Sequence, residues 1–143
     1  MNNSLLMFSS FIKKPNETGA IAPSSKFLTN EIIRSIDFRN SDYIVELGPG
    51  LGTFTKHILK KANQNARLLC FEVNKKFCSY LNKSINDERL VLINSGAESI
   101  KQNLRKFGIK KTDCIVSGLP FKNFSDAKKK RILIEVKNSL KDN

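Results

Sequence analysis

No apolar run in this chain approaches the roughly 20 residues that a bilayer-spanning helix needs, so no such span is expected in it. Met1 to Ile12 is mildly apolar but lacks a basic start and a small-residue cleavage site, which argues against a signal peptide. Cysteine is scarce and unpaired: Cys70, Cys78 and Cys114 are an odd number with no CxxC spacing. They read as reduced apolar residues of a cytosolic protein, with neither a disulfide nor a metal site. The single histidine, His57, falls inside a predicted helix and reads as a surface or helix-packing residue. Acidic residues are few, 13 against 25 basic ones, and the net charge of +12 calls for an anionic partner. Nucleic acid and acidic lipid headgroups both satisfy that demand, and a merely solvated lysine-rich surface is the bland alternative.

What the chain does contain is the run Glu46-Leu47-Gly48-Pro49-Gly50-Leu51-Gly52, with Glu72 twenty residues after the last glycine. Tyr43 to Leu47 reads as a buried strand and Thr53 to Ala62 as a helix, which puts the glycines on a strand-to-helix turn. There the backbone bends sharply and a ligand can approach without meeting a Cβ. Glu72 closes the next short strand, where a carboxylate can accept both hydroxyls of a ribose. The glycine spacing is G-x-G-x-G, an acid precedes it, and no Lys-Ser/Thr pair follows to hold a triphosphate. This combination favours S-adenosyl-L-methionine over NAD or ATP.

At 143 residues the chain has the length of one domain. Beyond an N-terminal arm it alternates strand and helix. Strands are predicted at Leu68 to Phe71, Leu90 to Ile93 and Asp113 to Ser117. Helices follow from about Lys75 to Ile85, Glu98 to Lys106 and Asp126 to Leu140. Apolar strands separated by amphipathic helices imply an α/β fold, a mostly parallel sheet covered on both faces. Right-handed crossovers bring Glu46, Glu72, Ser95 and Gly118 to the same strand edge. The chain stops soon after the fourth of these strands, which leaves that strand an exposed edge unless the sequence is truncated or another segment covers it. The expected division is a helical arm over residues 1–37 and a nucleoside-binding α/β domain over 38–143.

These motifs resemble the Rossmann-like class I S-adenosylmethionine-dependent methyltransferases. Glu46 to Gly52 with Thr53-Phe54-Thr55, and Phe71-Glu72-Val73-Asn74, are similar to both the rRNA adenine dimethyltransferases and the bacterial phosphatidylethanolamine N-methyltransferases. Gly19-Ala20-Ile21-Ala22-Pro23-Ser24-Ser25, before a helix from Lys26 to Ile36, looks like the phospholipid enzymes. So does Ser117-Gly118-Leu119-Pro120-Phe121. The rRNA enzymes carry Asn-Leu-Pro-Tyr/Phe there, and their Asn accepts a hydrogen bond from the adenine N6 amine. Gly118 stands in its place. The resemblance covers nearly the whole chain but only the first part of the family's domain.

The resemblance implies that Gly48, Gly50 and Gly52 approach the methionine portion of the cofactor and that Glu46 orients its amino end. It implies further that Glu72 binds the ribose, Val73 packs on the adenine and Ala97 flanks it. One departure stands out. Ser95-Gly96-Ala97 replaces the common Gly-Asp-Ala, so the carboxylate that reaches the adenine amine is missing unless Glu98 supplies it.

The function so implied is methylation of the phosphatidylethanolamine headgroup at an anionic membrane surface, by a bacterial, cytoplasmic enzyme held peripherally at the inner face. The alternatives are an RNA methyltransferase, with nucleic acid as partner, or a truncated non-catalytic relative. Ser24, Ser25, Gly118, Leu119, Pro120 and Phe121 are the candidate substrate wall, and no residue is assigned as general base. Leu5, Phe8 and Ile12 fall on one helical face, with Lys13 and Lys14 following, and form the candidate membrane contact. A short arm packed on the domain itself is the rival reading.

Overall fold

The computed structural model describes residues 5–7 through their backbone, residues 30–31, and residues 33–142. Strand β1 is Leu5–Met7, β2 Tyr43–Leu47, β3 Arg67–Phe71, β4 Leu90–Ile93 and β5 Cys114–Ser117. The helices are α1 Thr53–Lys61, α2 Lys75–Ser84, α3 Ile100–Lys106 and α4 Asp126–Ser139. Residues 30–31 and 33–35 are also helical. All pairings are parallel and the strand order is β1-β5-β2-β3-β4.

Four successive residues are buried at the ends of both β2 and β3. Only strands covered on both faces tolerate that, and their β-branched and leucine content suits it. Because side chains alternate along a strand, each face has its own core. Val45, Leu47, Leu69, Phe71 and Ile115 pack with Ile100 and Leu104 of α3 and with Ile132 and Val136 of α4. Ile44, Leu68, Cys70, Cys114 and Val116 pack on the other side with Ile33, Phe38, Ile58 and Leu59. Burying Ile58 completely, for example, contributes about 1.5–3 kcal/mol.

The edge that the sequence leaves open is covered from an unexpected direction. Leu5, Leu6 and Met7 pair with Ile115, Val116 and Ser117. The expectation that Leu5 lies on one face of a helical arm is thereby corrected: these residues are extended and belong to the sheet. The physical cause is the row of unpaired N–H and C=O groups on β5, which a parallel strand satisfies and a helix cannot. Phe8, Ile12, Lys13 and Lys14 lie outside the described residues, as do Ser24 and Ser25.

At the edge where β2 and β5 begin, Asp113 fixes their alignment. Its Oδ2 accepts the backbone N–H groups of Asp42 and Tyr43, each at 2.9 Å, and its Oδ1 pairs with Lys141. The opposite edge, where the strands end, is thus free to carry the ligand-binding loops. Among the described residues no helix is long and apolar enough to cross a membrane.

Candidate functional site

The glycine-rich turn leaves the end of β2 with its backbone held on both sides. Gly48 N–H donates to Phe71 O at 2.9 Å, and Gly118 N–H donates to Leu47 O at 2.8 Å. Two of the glycines are required for different reasons. Gly52 caps α1 in the left-handed region at φ +82°, and a Cβ there would stand 2.5 Å from Leu81 Cδ2, a clash with α2. Gly50 is also left-handed, at φ +56°, yet a Cβ would meet nothing within 4 Å. The space beside it is open, and the N-terminus of α1, the positive end of its dipole, lies beside the same loop.

Glu72 reaches across this opening. Its Oε2 accepts Gly50 N–H at 3.2 Å and its Oε1 accepts Asn74 N–H at 2.9 Å, so the carboxylate is oriented before any ligand arrives. Asn94, at the end of β4, donates its amide to the backbone oxygens of Glu72 and Val73 at 2.8 and 3.0 Å. Val73 itself is 70% exposed, an unusual state for a β-branched apolar side chain at a sheet end. A planar apolar ligand group would find its cover there.

Glu46 is placed differently from its neighbour. It is buried, and its Oε2 accepts both the Thr55 hydroxyl at 2.7 Å and the Cys70 thiol at 3.4 Å. Burial pushes its pKa up to about 7, against the opposing effect of the Thr55 and Cys70 hydrogen bonds, and the nearby Glu72 raises it further. The same site pushes the Cys70 thiol well above its ordinary range, chiefly by burial and then by Glu46. Glu46 therefore fastens α1 to β2 and β3 directly beneath the glycine loop.

The turn after β4 supplies a third wall. A Cβ on Gly96 would stand 2.5 Å from Glu98 Oε2 and 3.7 Å from Val73 Cγ1. The Glu98 carboxylate thus fills the space that a side chain at position 96 would take, next to exposed Val73. Its other oxygen lies 3.7 Å from Lys128 Nζ, which sits 4.3 Å from the centre of the Phe124 ring. Phe124 in turn meets Phe121 with ring centroids 5.8 Å apart. The loop from Gly118 to Phe121 forms the fourth wall: a Cβ on Gly48 would stand 3.0 Å from Leu119 Cδ2. An oriented carboxylate, an exposed apolar residue and a second carboxylate at neighbouring strand ends suit a nucleoside with hydroxyl and amine donors.

The ribosomal RNA adenine dimethylase family matches residues 24–135, most of the chain. The chain belongs to that family. It is 30% identical over 125 residues to the ornithine lipid N-methyltransferase of Singulisphaera acidiphila, covering 87% of this chain and 65% of that protein. It is 29% identical over 119 residues to ribosomal RNA small subunit methyltransferase A of Malacoplasma penetrans, covering 80% of this chain and 41% of the relative. The chain therefore spans less than two thirds of the length of these curated relatives. Among solved structures, the plantazolicin methyltransferase BamL in complex with a triazolic desmethylPZN analogue and S-adenosylhomocysteine matches with a TM-score of 0.66. Identity there is 23%, over 84% of this chain and 44% of that one, so this likeness concerns the fold, which is the Rossmann-like fold of S-adenosylmethionine-dependent methyltransferases.

In this member of the dimethylase family the predicted residues Gly48, Gly50, Gly52, Glu72, Val73 and Ala97 all lie at the ends of β2, β3 and β4, together with Gly118 to Phe121 after β5. Ala97 is buried in the core, so only its backbone is available to a ligand. Glu46 lies below this group, not in its opening. Sequence reasoning passed over Asn94 and Lys128. A polar residue immediately after an all-apolar strand was the available signal for Asn94. Lys128 was hidden within the run Lys128-Lys129-Lys130-Arg131, where only the fold singles out the lysine that turns toward Glu98. His57 is an exposed residue of α1. Among the described residues no group of three or more metal-ligating side chains occurs.

Proposed function

We propose that this chain carries the cofactor-binding part of an S-adenosyl-L-methionine-dependent N-methyltransferase whose acceptor is the primary amine of a membrane lipid. The amine is that of phosphatidylethanolamine, by the resemblance of the Gly-Leu-Pro-Phe loop, or of an ornithine lipid, by similarity to the Singulisphaera protein. Both present the same nucleophile. The observation that carries this reading is Gly118. It is buried at the end of β5, its N–H is committed to Leu47 O, and it has no side chain to hold an adenine amine.

The residues present fit the cofactor. Glu72 would accept from the ribose hydroxyls, Val73 would cover the adenine, and the clearance beside Gly50 would admit the methionine end. Glu98 would take the exocyclic amine in place of the missing residue at Gly96. When bound, S-adenosylmethionine supplies an activated methyl group on a sulfonium. The residues present would have to offer that methyl group an uncharged lipid nitrogen, with S-adenosylhomocysteine as the leaving group and a proton of the methylated amine passing to solvent. The chain's own contribution is to hold the nitrogen in line with the methyl carbon, and such positioning is worth roughly 7–11 kcal/mol. Leu119, Pro120 and Phe121 are the wall that does so. Ser24 and Ser25 are further candidates for that wall. The enzyme would work at the cytoplasmic face of the membrane, with residues 38–143 as the cofactor domain and strand β1, from the preceding segment, completing its sheet.

A second reading, methylation of an RNA adenine, is favoured by the family match and by the similarity to the Malacoplasma methyltransferase. Transfer of labelled methyl from S-adenosylmethionine separates the two. Phosphatidylethanolamine vesicles, ornithine-lipid vesicles and ribosomal RNA are offered in parallel. Label in either lipid is expected; label confined to RNA would refute the lipid reading.

A further inference from the structure

Helix α4 carries apolar residues on both of its faces. Ile132 and Val136 point into the core, as the sheet requires. Leu133 and Ile134, however, are 43% and 49% exposed. With Lys130 and Lys137 they occupy positions i, i+3, i+4 and i+7, which is one helical stripe. Lys130, Arg131 and Lys137 are all exposed as well. The carboxylates on this helix are engaged elsewhere. Glu135 Oε2 accepts Lys101 N–H at 3.0 Å, and Asp126, in the first turn, lies 3.6 Å from Lys129 Nζ. The outward stripe is thus two branched aliphatic side chains framed by cations.

We infer that this stripe of α4 is a docking surface for an anionic lipid bilayer. Leu133 and Ile134 would enter the headgroup layer, while Lys130, Arg131 and Lys137 lay their stems along it with ammonium or guanidinium groups on lipid phosphates. Charge decides against a second copy of the chain. A two-fold interface through this stripe would set Lys130 and Lys137 against their own images, in a protein of net charge +12. RNA is disfavoured because its phosphates need no exposed aliphatic side chains, and stacking on bases calls for aromatic ones. The place is also right. Helix α4 starts just after the Gly118–Phe121 loop, and Ile134 lies roughly 12 Å along the helix from that start. The stripe thus begins near the strand-end opening, and the helix runs from there back to the edge where Lys141 meets Asp113.

The inference deepens the lipid reading, but its test does not depend on methyl transfer. The full chain is sedimented with vesicles of phosphatidylcholine alone or mixed with phosphatidylglycerol, neither of which offers a primary amine. Two double variants accompany it, Leu133→Asn with Ile134→Asn, and Lys130→Glu with Lys137→Glu. All four positions are exposed, so thermal melts are expected to match the parent. The parent is expected to bind only the phosphatidylglycerol vesicles. Lys130→Glu with Lys137→Glu is expected to weaken that binding at least tenfold, since one basic group at an acidic surface changes affinity by about fivefold. Leu133→Asn with Ile134→Asn is expected to weaken it through the lost apolar insertion. Methyl transfer to a soluble short-chain lipid amine is expected to persist in both variants. Vesicle binding unchanged in both variants would overturn the inference. So would RNA binding lost with the lysines but indifferent to Leu133 and Ile134, or a dimer that the aliphatic variant dissociates. If methyl transfer to lipid fails while the stripe still governs vesicle binding, the lipid-substrate reading falls and the docking surface stands.

Discussion

Replacing Glu46 by glutamine isolates a single buried proton and gives it a measurable pH signature. Glu46 has an ordinary pKa of 4.5 outside the fold and about 7 within it. Between those values the folded protein holds a proton that the unfolded chain has released. Stability due to this group is therefore complete below pH 4.5 and falls as pH rises through 7. The shift is about 2.5 units, and at 1.36 kcal/mol per unit it corresponds to about 3 kcal/mol. Glutamine keeps the volume and an acceptor for the Thr55 hydroxyl but binds no proton in this range. Urea unfolding followed by circular dichroism, repeated from pH 4.5 to 8, measures the effect. The parent is expected to lose about 3 kcal/mol more than Glu46→Gln across that window. Parallel curves would refute the reasoning, because they would mean that Glu46 is ionised in the folded state or equally perturbed when unfolded. At lower pH a different group governs. For Asp113, burial favours the neutral form, but the Lys141 bond and two backbone N–H groups outweigh it and hold the pKa below the usual range. That contribution is present above pH 3.8 and lost as pH falls through the lowered value, so stability is expected to peak on the acid side of neutrality.

Gly52→Ala is expected to destabilise the fold by more than about 2 kcal/mol in urea titration, since it combines a left-handed backbone with a Cβ 2.5 Å from Leu81. Gly50→Ala shares the backbone cost without the clash and should unfold at higher urea than Gly52→Ala; the reverse order would contradict the packing argument. Glu98→Gln tests base recognition. The parent should bind S-adenosylhomocysteine more tightly than its inosine counterpart, which lacks the exocyclic amine, and calorimetry on the variant should show that preference reduced about tenfold or more.

Most of the sheet is legible in the sequence because its strands are unbroken apolar runs bounded by turn residues and its helices carry one apolar face. Tyr43–Leu47 and Leu90–Ile93 have the boundaries that periodicity assigns. The helix expected from Glu98 to Lys106 is a 3-10 turn over Ala97–Ser99 followed by α3 from Ile100, a boundary effect that side-chain pattern does not resolve. β1 was illegible for a deeper reason. Three apolar residues have no detectable period, and Leu5–Met7 is a strand only because β5 offers an unpaired edge far away in sequence. The site was readable where it depends on glycines and on acids at strand ends. For Glu46 the sequence gives its place in the strand but not the depth at which Thr55 and Cys70 engage it. The link from Glu98 through Lys128 to Phe124 joins three elements, and only the fold brings them together.

The central claim is that the glycine loop and Glu72 form a nucleoside site, and titration of S-adenosylhomocysteine into the chain and into Glu72→Ala tests it most directly. Saturable binding by the parent and a loss of at least about tenfold in the variant are expected, because two hydrogen bonds to a carboxylate are removed. Absence of binding by a folded parent, or binding indifferent to Glu72, would contradict the account.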